Sequence, residues 1–205
     1  MVKYDLSHLK QEDNQIVVGP IQDDEALFLY SLIRVKRIKC VLEIGGLNGY
    51  SSINFIKAME FDKKKYKLFT CDINKVPKIN INHFTIKKDV KELNVKDIFN
   101  SKIELLFLDC HTLTQYDIFK KFLFKGNIDE NTIIALHDTN LHYQTIWNKN
   151  GEDNHVHQTV ERNIVNLLKD KGYDIFCLHT NKDKHSKEFP FRHGITVCQI
   201  FKRLV

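Results

Sequence analysis

Short apolar segments alternate with amphipathic segments along this sequence, and several of the apolar ones stop at an acidic residue. Cys40 to Ile44 and Ile103 to Leu108 are each apolar apart from one glutamate, which is typical of a strand buried on both faces of a parallel sheet. His157 to Lys171 instead has apolar residues at helical spacing, with Gly172 placed to cap the helix. This alternation predicts an α/β fold with a doubly wound, mostly parallel seven-stranded sheet and helices on both faces. The final strand could run antiparallel to the others.

The predicted elements follow one another without an internal repeat or a linker. The predicted strands are 40–44, 66–71, 83–86, 103–108, 132–136, 173–178 and 195–201, and the predicted helices are 23–33, 51–59, 116–124 and 157–171. With 205 residues, of which 42% are apolar, the chain can bury the core of one domain. We therefore expect a single domain over residues 1–205, in which the weakly patterned residues 1–20 form an N-terminal lead-in.

Composition and charge argue against several classes of protein. The net charge of +5 comes from scattered lysines without an aromatic-interleaved basic motif, so we expect no nucleic-acid partner. No apolar segment approaches the roughly 18 residues of a membrane span. No secretory segment follows Met1, so we expect no membrane partner and a cytoplasmic location. The five cysteines include no CxxC pair and lie mostly in or beside apolar segments, as reduced core cysteines do.

Val41 to Ser52 reads VLEIGGLNGYSS and predicts a strand, a glycine turn and the start of a helix. Gly45, Gly46 and Gly49 allow the backbone to turn sharply and to approach a ligand without obstruction by Cβ atoms. Glu43 near the strand end argues against a pyrophosphate site, which needs free amides and positive charge. A cationic or hydroxyl-bearing ligand suits this turn better.

The dinucleotide fingerprint GxGxxG is the main alternative for this turn. Gly46 and Gly49 fit its last two glycines, but Ile44 stands where the first glycine makes the tight turn out of the strand. A nicotinamide-dependent oxidoreductase is therefore a less favoured alternative.

Polar residues stand at or just past the ends of most predicted strands. They are Glu43, Asp72, Asp89, Asp109 and the pair His137-Asp138. A single aspartate after a strand is more often a turn residue or a helix cap than a ligand. Because ligands of open α/β sheets bind beyond the carboxyl ends of the strands, five acids in phase indicate a binding site at this edge of the sheet.

Four segments together resemble a class I S-adenosylmethionine-dependent methyltransferase, most of all the small O-methyltransferase-like group that includes sugar and catechol-type enzymes. They are Val41 to Gly45 with Gly49 to Ser51, Phe69 to Asp72, Leu106 to Asp109 and Ile133 to Thr139, within about residues 20 to 140. The resemblance implies a Rossmann-like methyltransferase fold and transfer of a methyl group from S-adenosylmethionine to an oxygen of a small acceptor. A protein that binds the cofactor but has lost catalysis is the alternative.

The resemblance also implies which residues contact the cofactor. The glycine turn would lie against its methionine part, and Glu43 would hold that region. Asp72 would accept hydrogen bonds from both ribose hydroxyls, while Asp89 and Val90 would border the adenine. The expected cofactor-binding residues are Glu43, Gly45, Gly46, Gly49, Tyr50, Ser51, Asp72, Asp89, Val90 and Asp109.

Asp109, His137 and Asp138 resemble the positions at which cation-dependent relatives hold a divalent metal. Such a metal would draw in a substrate hydroxyl, lower its pKa and aim its oxygen at the methyl group. Relatives often carry a further acid after the fifth strand, so His137 makes this site softer, and Mn, Fe or Zn are as acceptable as Mg. The expected catalytic residues are His111, Asp109 and His137. Without a metal, His111 is the first choice of general base, ahead of His137 and His142.

The acceptor is expected to be a small hydroxyl-bearing molecule, such as a sugar or a catechol-like compound. Its determinants are expected in residues 1–20 and 140–195, where Tyr143 and Trp147 could either wall an acceptor pocket or be ordinary loop anchors. His155 and His157 lie two apart at a predicted helix start, so they do not share a helical face and are interpreted as structural or substrate-lining. Self-association into a homo-oligomer is left open.

Overall fold

A computed structural model describes residue 21 and residues 23–61, 65–139, 144–147, 153–156, 160–178 and 194–200. The helices are α1 (Asp23–Lys36), α2 (Tyr50–Glu60), α3 (Thr114–Phe124) and α4 (Val160–Asp170). The strands are β1 (Cys40–Ile44), β2 (Lys67–Asp72), β3 (His83–Lys87), β4 (Leu105–Leu108), β5 (Ile133–Leu136), β6 (Gln144–Trp147), β7 (Asp153–Val156), β8 (Tyr173–Cys177) and β9 (Thr196–Ile200). Two short 3-10 helices, Val90–Glu92 and Val95–Ile98, follow β3.

Seven strands form one sheet in the order β3-β2-β1-β4-β5-β9-β8. The strands from β3 to β5 pair in parallel, and Leu42 of β1 is the partner of both Phe69 in β2 and Leu106 in β4. β9 runs antiparallel to its neighbours β5 and β8. The predicted doubly wound, mostly parallel sheet is therefore confirmed, with its final strand antiparallel. The strand order reverses between β1 and β4, so the switch point lies beside the glycine turn.

Alternate residues of the central strands pack against helices on opposite faces of the sheet. Leu42 and Ile44 of β1 lie in a core with α3 and α4, whereas Val41 lies in a second core with α1 and α2. In that second core, Phe107 of β4 packs edge-on against Phe55 of α2, with ring centroids 5.2 Å apart. Burial on both faces explains why β4 and β5 are apolar throughout instead of alternating with polar residues.

The structure departs from the sequence prediction in the segment after β5. Strands β6 and β7 form an antiparallel hairpin outside the main sheet, where the sequence predicted no strand. His155 therefore lies in a strand, so its predicted place at a helix start is wrong, whereas its structural or substrate-lining role stays a prediction. The β7 sequence Asp-Asn-His-Val begins with two residues that are depleted in strands, which is why the pattern was not visible. The lead-in 1–20 and His157 lie outside the described residues.

None of the helices in the described part of the chain is both long enough and apolar enough to cross a membrane. The five cysteines are all free thiols, and Cys71 and Cys198 among them are buried.

Candidate active site

A cavity of about 770 Å³ opens beyond the carboxyl ends of β1, β2 and β4. This is the position at which open α/β sheets bind ligands, and the volume is that of a small-molecule site. Nine residues that the sequence singled out line it: Gly45, Gly46, Tyr50, Ser51, Asp72, Asp89, Val90, Asp109 and His111.

The glycine turn after β1 packs directly against backbone from β4. Gly45 has φ +91°, and a Cβ atom placed there would lie 2.0 Å from the carbonyl oxygen of Asp109. A Cβ atom on Gly46 would lie 2.3 Å from Cγ2 of Thr70. Two adjacent residues of this turn thus have no room for a side chain, and both line the cavity.

Asp72 at the end of β2 holds the turn in place. Its Oδ2 accepts hydrogen bonds from the amides of Gly46 at 3.0 Å and Leu47 at 2.9 Å. Its Oδ1 accepts one from the amide of Asn74 at 2.7 Å. Because a carboxylate has about four acceptor sites, Asp72 can fix the turn and still accept a hydrogen bond from a ligand in the cavity.

Glu43 lies beneath the turn, fully buried, and does not line the cavity. It accepts hydrogen bonds from the hydroxyls of Ser51 and Ser52, the second and third residues of α2, and from Thr70 at 2.6 Å. Burial raises the pKa of Glu43 to about 7 against the opposing effect of the three hydroxyl donors. Glu43 therefore joins β1, β2 and the start of α2, and so supports the turn from behind.

The buried hydrogen-bond network continues from Thr70 to β3. Thr70 Oγ1 lies 2.9 Å from Nε2 of His83, whose Nδ1 accepts a hydrogen bond from the amide of Ile79 at 3.3 Å. His83 is fully buried. Burial, assisted by the positive charge of Lys78, lowers the pKa of His83 to about 4. The ring is therefore neutral at physiological pH, with its proton on Nε2.

Asp89 lies at the far end of the cavity and caps the 3-10 helix that follows it. Its carboxylate accepts a hydrogen bond from the amide of Lys91 at 3.0 Å and forms an ion pair with Nζ of the same lysine at 3.3 Å. The backbone hydrogen bond lowers the pKa of Asp89. Asp89 is therefore both a helix cap and a residue of the cavity wall.

His137 stands at the centre of a group of carboxylates at the ends of β4 and β5. Its Nδ1 lies 3.2 Å from Oδ1 of Asp109 and 3.3 Å from Oδ1 of Asp138, and its Nε2 lies 3.1 Å from Oε2 of Glu25. Burial by itself would lower the pKa of His137, but the three carboxylates outweigh it and raise this pKa well above its usual range. Burial raises the pKa of Asp109, and the adjacent His137 offsets part of this rise.

Asp109, His137 and Asp138 can each direct one donor atom to a common point, because these atoms all lie within 4.8 Å of one another. The donor set is two carboxylate oxygens and one imidazole nitrogen, which suits Mn, Fe or Zn better than an all-oxygen site would. Asp138 has φ +55°, a left-handed conformation that is uncommon for a residue other than glycine. Such strain is often found at functional sites.

His111 lies between this group and the cavity. Its Nε2 is 3.4 Å from Oδ2 of Asp138, and its Nδ1 is 3.2 Å from Oε1 of Glu161. Burial opposes a charge on His111, but Glu161, Asp109 and Asp138 raise its pKa to about 9. With this pKa His111 is a protonated hydrogen-bond donor at neutral pH, and its role as a general base stays a prediction.

Four of the predicted site residues do not line the cavity, namely Glu43, Gly49, His137 and Asp138. Glu43 contacts Ser51 and His137 contacts Asp109, and both of these partners line the cavity. His142, Tyr143 and the side chains of Trp147 and His155 lie outside the described part of the chain, so the predictions for them stay predictions.

Two buried glutamates belong to the site and were not predicted. Glu25 on α1 and Glu161 on α4 are both fully buried. Each lies four residues before a buried apolar residue of its helix, Leu29 and Val165, which places it on the core-facing side. The sequence signal for such a residue is a carboxylate on the apolar face of a predicted helix. A carboxylate buried there needs a partner, so the signal predicts a buried polar contact.

The O-methyltransferase family matches residues 5–166, which is most of the chain. No curated protein matches the sequence at a significant level. Among solved structures, a Podospora anserina methyltransferase bound to S-adenosylhomocysteine is 16% identical, with a TM-score of 0.60 over 86% of this chain and 78% of that chain. An O-methyltransferase from Bacillus cereus in complex with S-adenosylhomocysteine is 14% identical, with a TM-score of 0.59 over 91% and 84% of the two chains.

A third structure is the O-methyltransferase TomG from Streptomyces achromogenes, which is involved in tomaymycin synthesis and was solved in complex with S-adenosylmethionine. It is 15% identical, with a TM-score of 0.57 over 92% of this chain and 83% of that chain. Identities this low show a shared fold, and the family match goes further. The chain belongs to the O-methyltransferase family, which confirms the S-adenosylmethionine-dependent methyltransferase class that its sequence predicts.

Proposed function

We propose that this protein transfers a methyl group from S-adenosylmethionine to a hydroxyl oxygen of a small acceptor, at a site that includes a divalent metal. The observation that carries the proposal is the cavity itself. It joins the glycine turn, the Asp72 carboxylate and the Asp109–His111 segment in one space of about 770 Å³. Family membership argues against the nicotinamide-dependent alternative.

The cavity fits the cofactor at three points. The backbone of Gly45 and Gly46 offers a surface without side chains to the methionine part, and Asp72 retains an acceptor site for a ribose hydroxyl. Asp89 and Val90 line the same cavity further along and would border the adenine.

The cluster of Asp109, His137 and Asp138 fits a divalent metal by its donor types and by the closeness of its donor atoms. A metal held there would lower the pKa of an acceptor hydroxyl. The contribution of the protein is mainly positional, since methyl transfer is an in-line displacement that needs the acceptor oxygen aligned with the methyl carbon. Asp109 is the member of this cluster that lines the cavity, so the acceptor oxygen would lie next to it.

Binding and turnover separate the candidate functions. Calorimetric titration with S-adenosylmethionine, S-adenosylhomocysteine and NAD should show binding of the first two only, and binding of NAD alone would reject the proposal. Release of S-adenosylhomocysteine with hydroxyl-bearing acceptors would exclude the non-catalytic alternative. Metal analysis shows whether chelation has removed all metal from the protein. Full activity of the metal-free protein would reject the proposed metal site but not the proposed methyl transfer.

We propose a sugar or a catechol-like compound as the class of acceptor, selected by residues 1–20 and 140–195. The free thiols agree with a reducing compartment, and we propose the cytoplasm as the location. Sedimentation of the purified chain would decide whether it forms a homo-oligomer.

A further inference from the structure

Glu25 on the first turn of α1 is buried against the end of β5. Its Oε1 accepts a hydrogen bond from the amide of Gly194 at 2.7 Å, and its Oε2 lies 3.1 Å from Nε2 of His137. Both carboxylate oxygens are thus committed to named partners on two other segments of the chain. Neither the sequence motifs nor the family match assigns a role to this residue.

The contact with Glu25 determines which way the His137 ring faces. With Nε2 directed at Glu25, Nδ1 points between Oδ1 of Asp109 at 3.2 Å and Oδ1 of Asp138 at 3.3 Å. A histidine that ligates a metal through one nitrogen usually donates its other N–H to a carboxylate or a carbonyl. That partner fixes the tautomer and raises the basicity of the ligating nitrogen.

We propose that Glu25 is a positioning residue, which holds His137 with its Nδ1 lone pair directed at a metal shared with Asp109 and Asp138. The proposal rests on the metal site in the proposed function. The donor set is then two oxygens and one oriented nitrogen, which favours a transition metal over Mg. The competing arrangement is a metal-free site in which His137 is an imidazolium that bridges the three carboxylates.

Cobalt titration of the purified full-length chain tests this inference, because the visible spectrum of Co²⁺ reports its ligands independently of turnover. The wild type should bind Co²⁺ with a spectrum that is lost in His137→Asn. Glu25→Gln keeps the shape of the side chain but replaces the carboxylate, and it should raise the Kd for Co²⁺ by about 10- to 100-fold. Glu25→Gln should have little further effect in the His137→Asn background.

Glu104→Gln is the control, because it makes the same change at an exposed glutamate, which accepts a hydrogen bond from the Cys40 amide at the opposite edge of the sheet. It should keep the wild-type Kd for Co²⁺, and a loss equal to that of Glu25→Gln would overturn the role of Glu25. Retained affinity for S-adenosylhomocysteine shows that a variant is folded. If Glu25→Gln fails that test, Glu25→Asp replaces it, with the same weaker binding of Co²⁺ expected.

The outcomes distinguish this inference from the proposed function. If the wild type and Glu25→Gln bind Co²⁺ equally well, Glu25 has no positioning role and the metal site stands. If the wild type binds S-adenosylhomocysteine but no Co²⁺, the metal site and the role of Glu25 are both wrong. In that case methyl transfer is judged by turnover alone.

Discussion

A Cβ atom on Gly45 would lie 2.0 Å from the carbonyl oxygen of Asp109, so the turn after β1 and the end of β4 touch backbone to backbone. Gly45 also donates its N–H to the carbonyl of Cys71 at 2.8 Å. This residue therefore connects the ends of the three strands that border the cavity. Its lack of a side chain is a requirement of tertiary packing as well as of local conformation.

Gly45→Ala should disrupt the cavity and destabilise the protein, because the added methyl group must displace the Asp109 carbonyl and φ +91° is unfavourable for alanine. Gly172→Ala is the control, since Gly172 has φ +82° but open space around its Cβ position. We expect a loss of about 1 kcal/mol in unfolding free energy for Gly172→Ala and a larger loss for Gly45→Ala. Urea denaturation and titration with S-adenosylhomocysteine measure both effects. Equal behaviour of the two variants would show that the contact with Asp109 is unimportant.

Asp72→Asn should weaken binding of S-adenosylhomocysteine by about 10- to 100-fold, which corresponds to one or two charge-assisted hydrogen bonds. The amide group of asparagine would face the N–H donors of Gly46 and Leu47, so the turn should also loosen. Asp117→Asn removes an exposed carboxylate that pairs with Lys120 on α3, and it should leave the Kd unchanged. Calorimetric titration measures the Kd for S-adenosylhomocysteine in both variants. An unaltered Kd in Asp72→Asn would show that Asp72 is not part of the cofactor site.

His83 should make the stability of the protein depend on pH. Its pKa is about 4 in the folded chain and about 6.5 when unfolded, so only the unfolded state takes up this proton between those values. The stability contributed by a neutral His83 is thus present above pH 6.5 and is lost as the pH falls toward 4. The difference in unfolding free energy between wild type and His83→Gln should shrink by at most about 3 kcal/mol over this range. A pH-independent difference in denaturation experiments would contradict the burial argument.

Glu161 should maintain the charge of His111 in the metal-free protein. The same oxygen of Glu161 accepts hydrogen bonds from the His111 amide at 3.0 Å and from Gln115 at 2.9 Å, and it lies 3.2 Å from Nδ1 of His111. Glu161→Gln removes the acceptor that favours the imidazolium, so the pKa of His111 should fall from about 9. Nuclear magnetic resonance titration of the imidazole signals follows this change. Glu104→Gln, at the opposite edge of the sheet beside the Cys40 amide, should leave the His111 titration unaltered.

The parts of the molecule that could be predicted from the sequence are those encoded by neighbouring residues. β1 and β4 were recognisable because burial on both faces requires nearly continuous apolar residues. Asp72 and Asp109 could be assigned to one edge because each follows such a strand. The hairpin of β6 and β7 was missed because its short strands carry polar residues and no alternation.

The sequence by itself determined the sheet, the glycine turn and the row of acids at the strand ends, since each depends on local periodicity and on backbone conformation. The tertiary structure alone decided which distant residues pair with the polar groups at the strand ends. Glu25 meets His137 across 112 residues of sequence, and Glu161 meets His111 across 50. These partners are brought together by helices packing against the sheet ends, where a buried carboxylate is tolerated only beside a group that can donate a hydrogen bond or a charge to it.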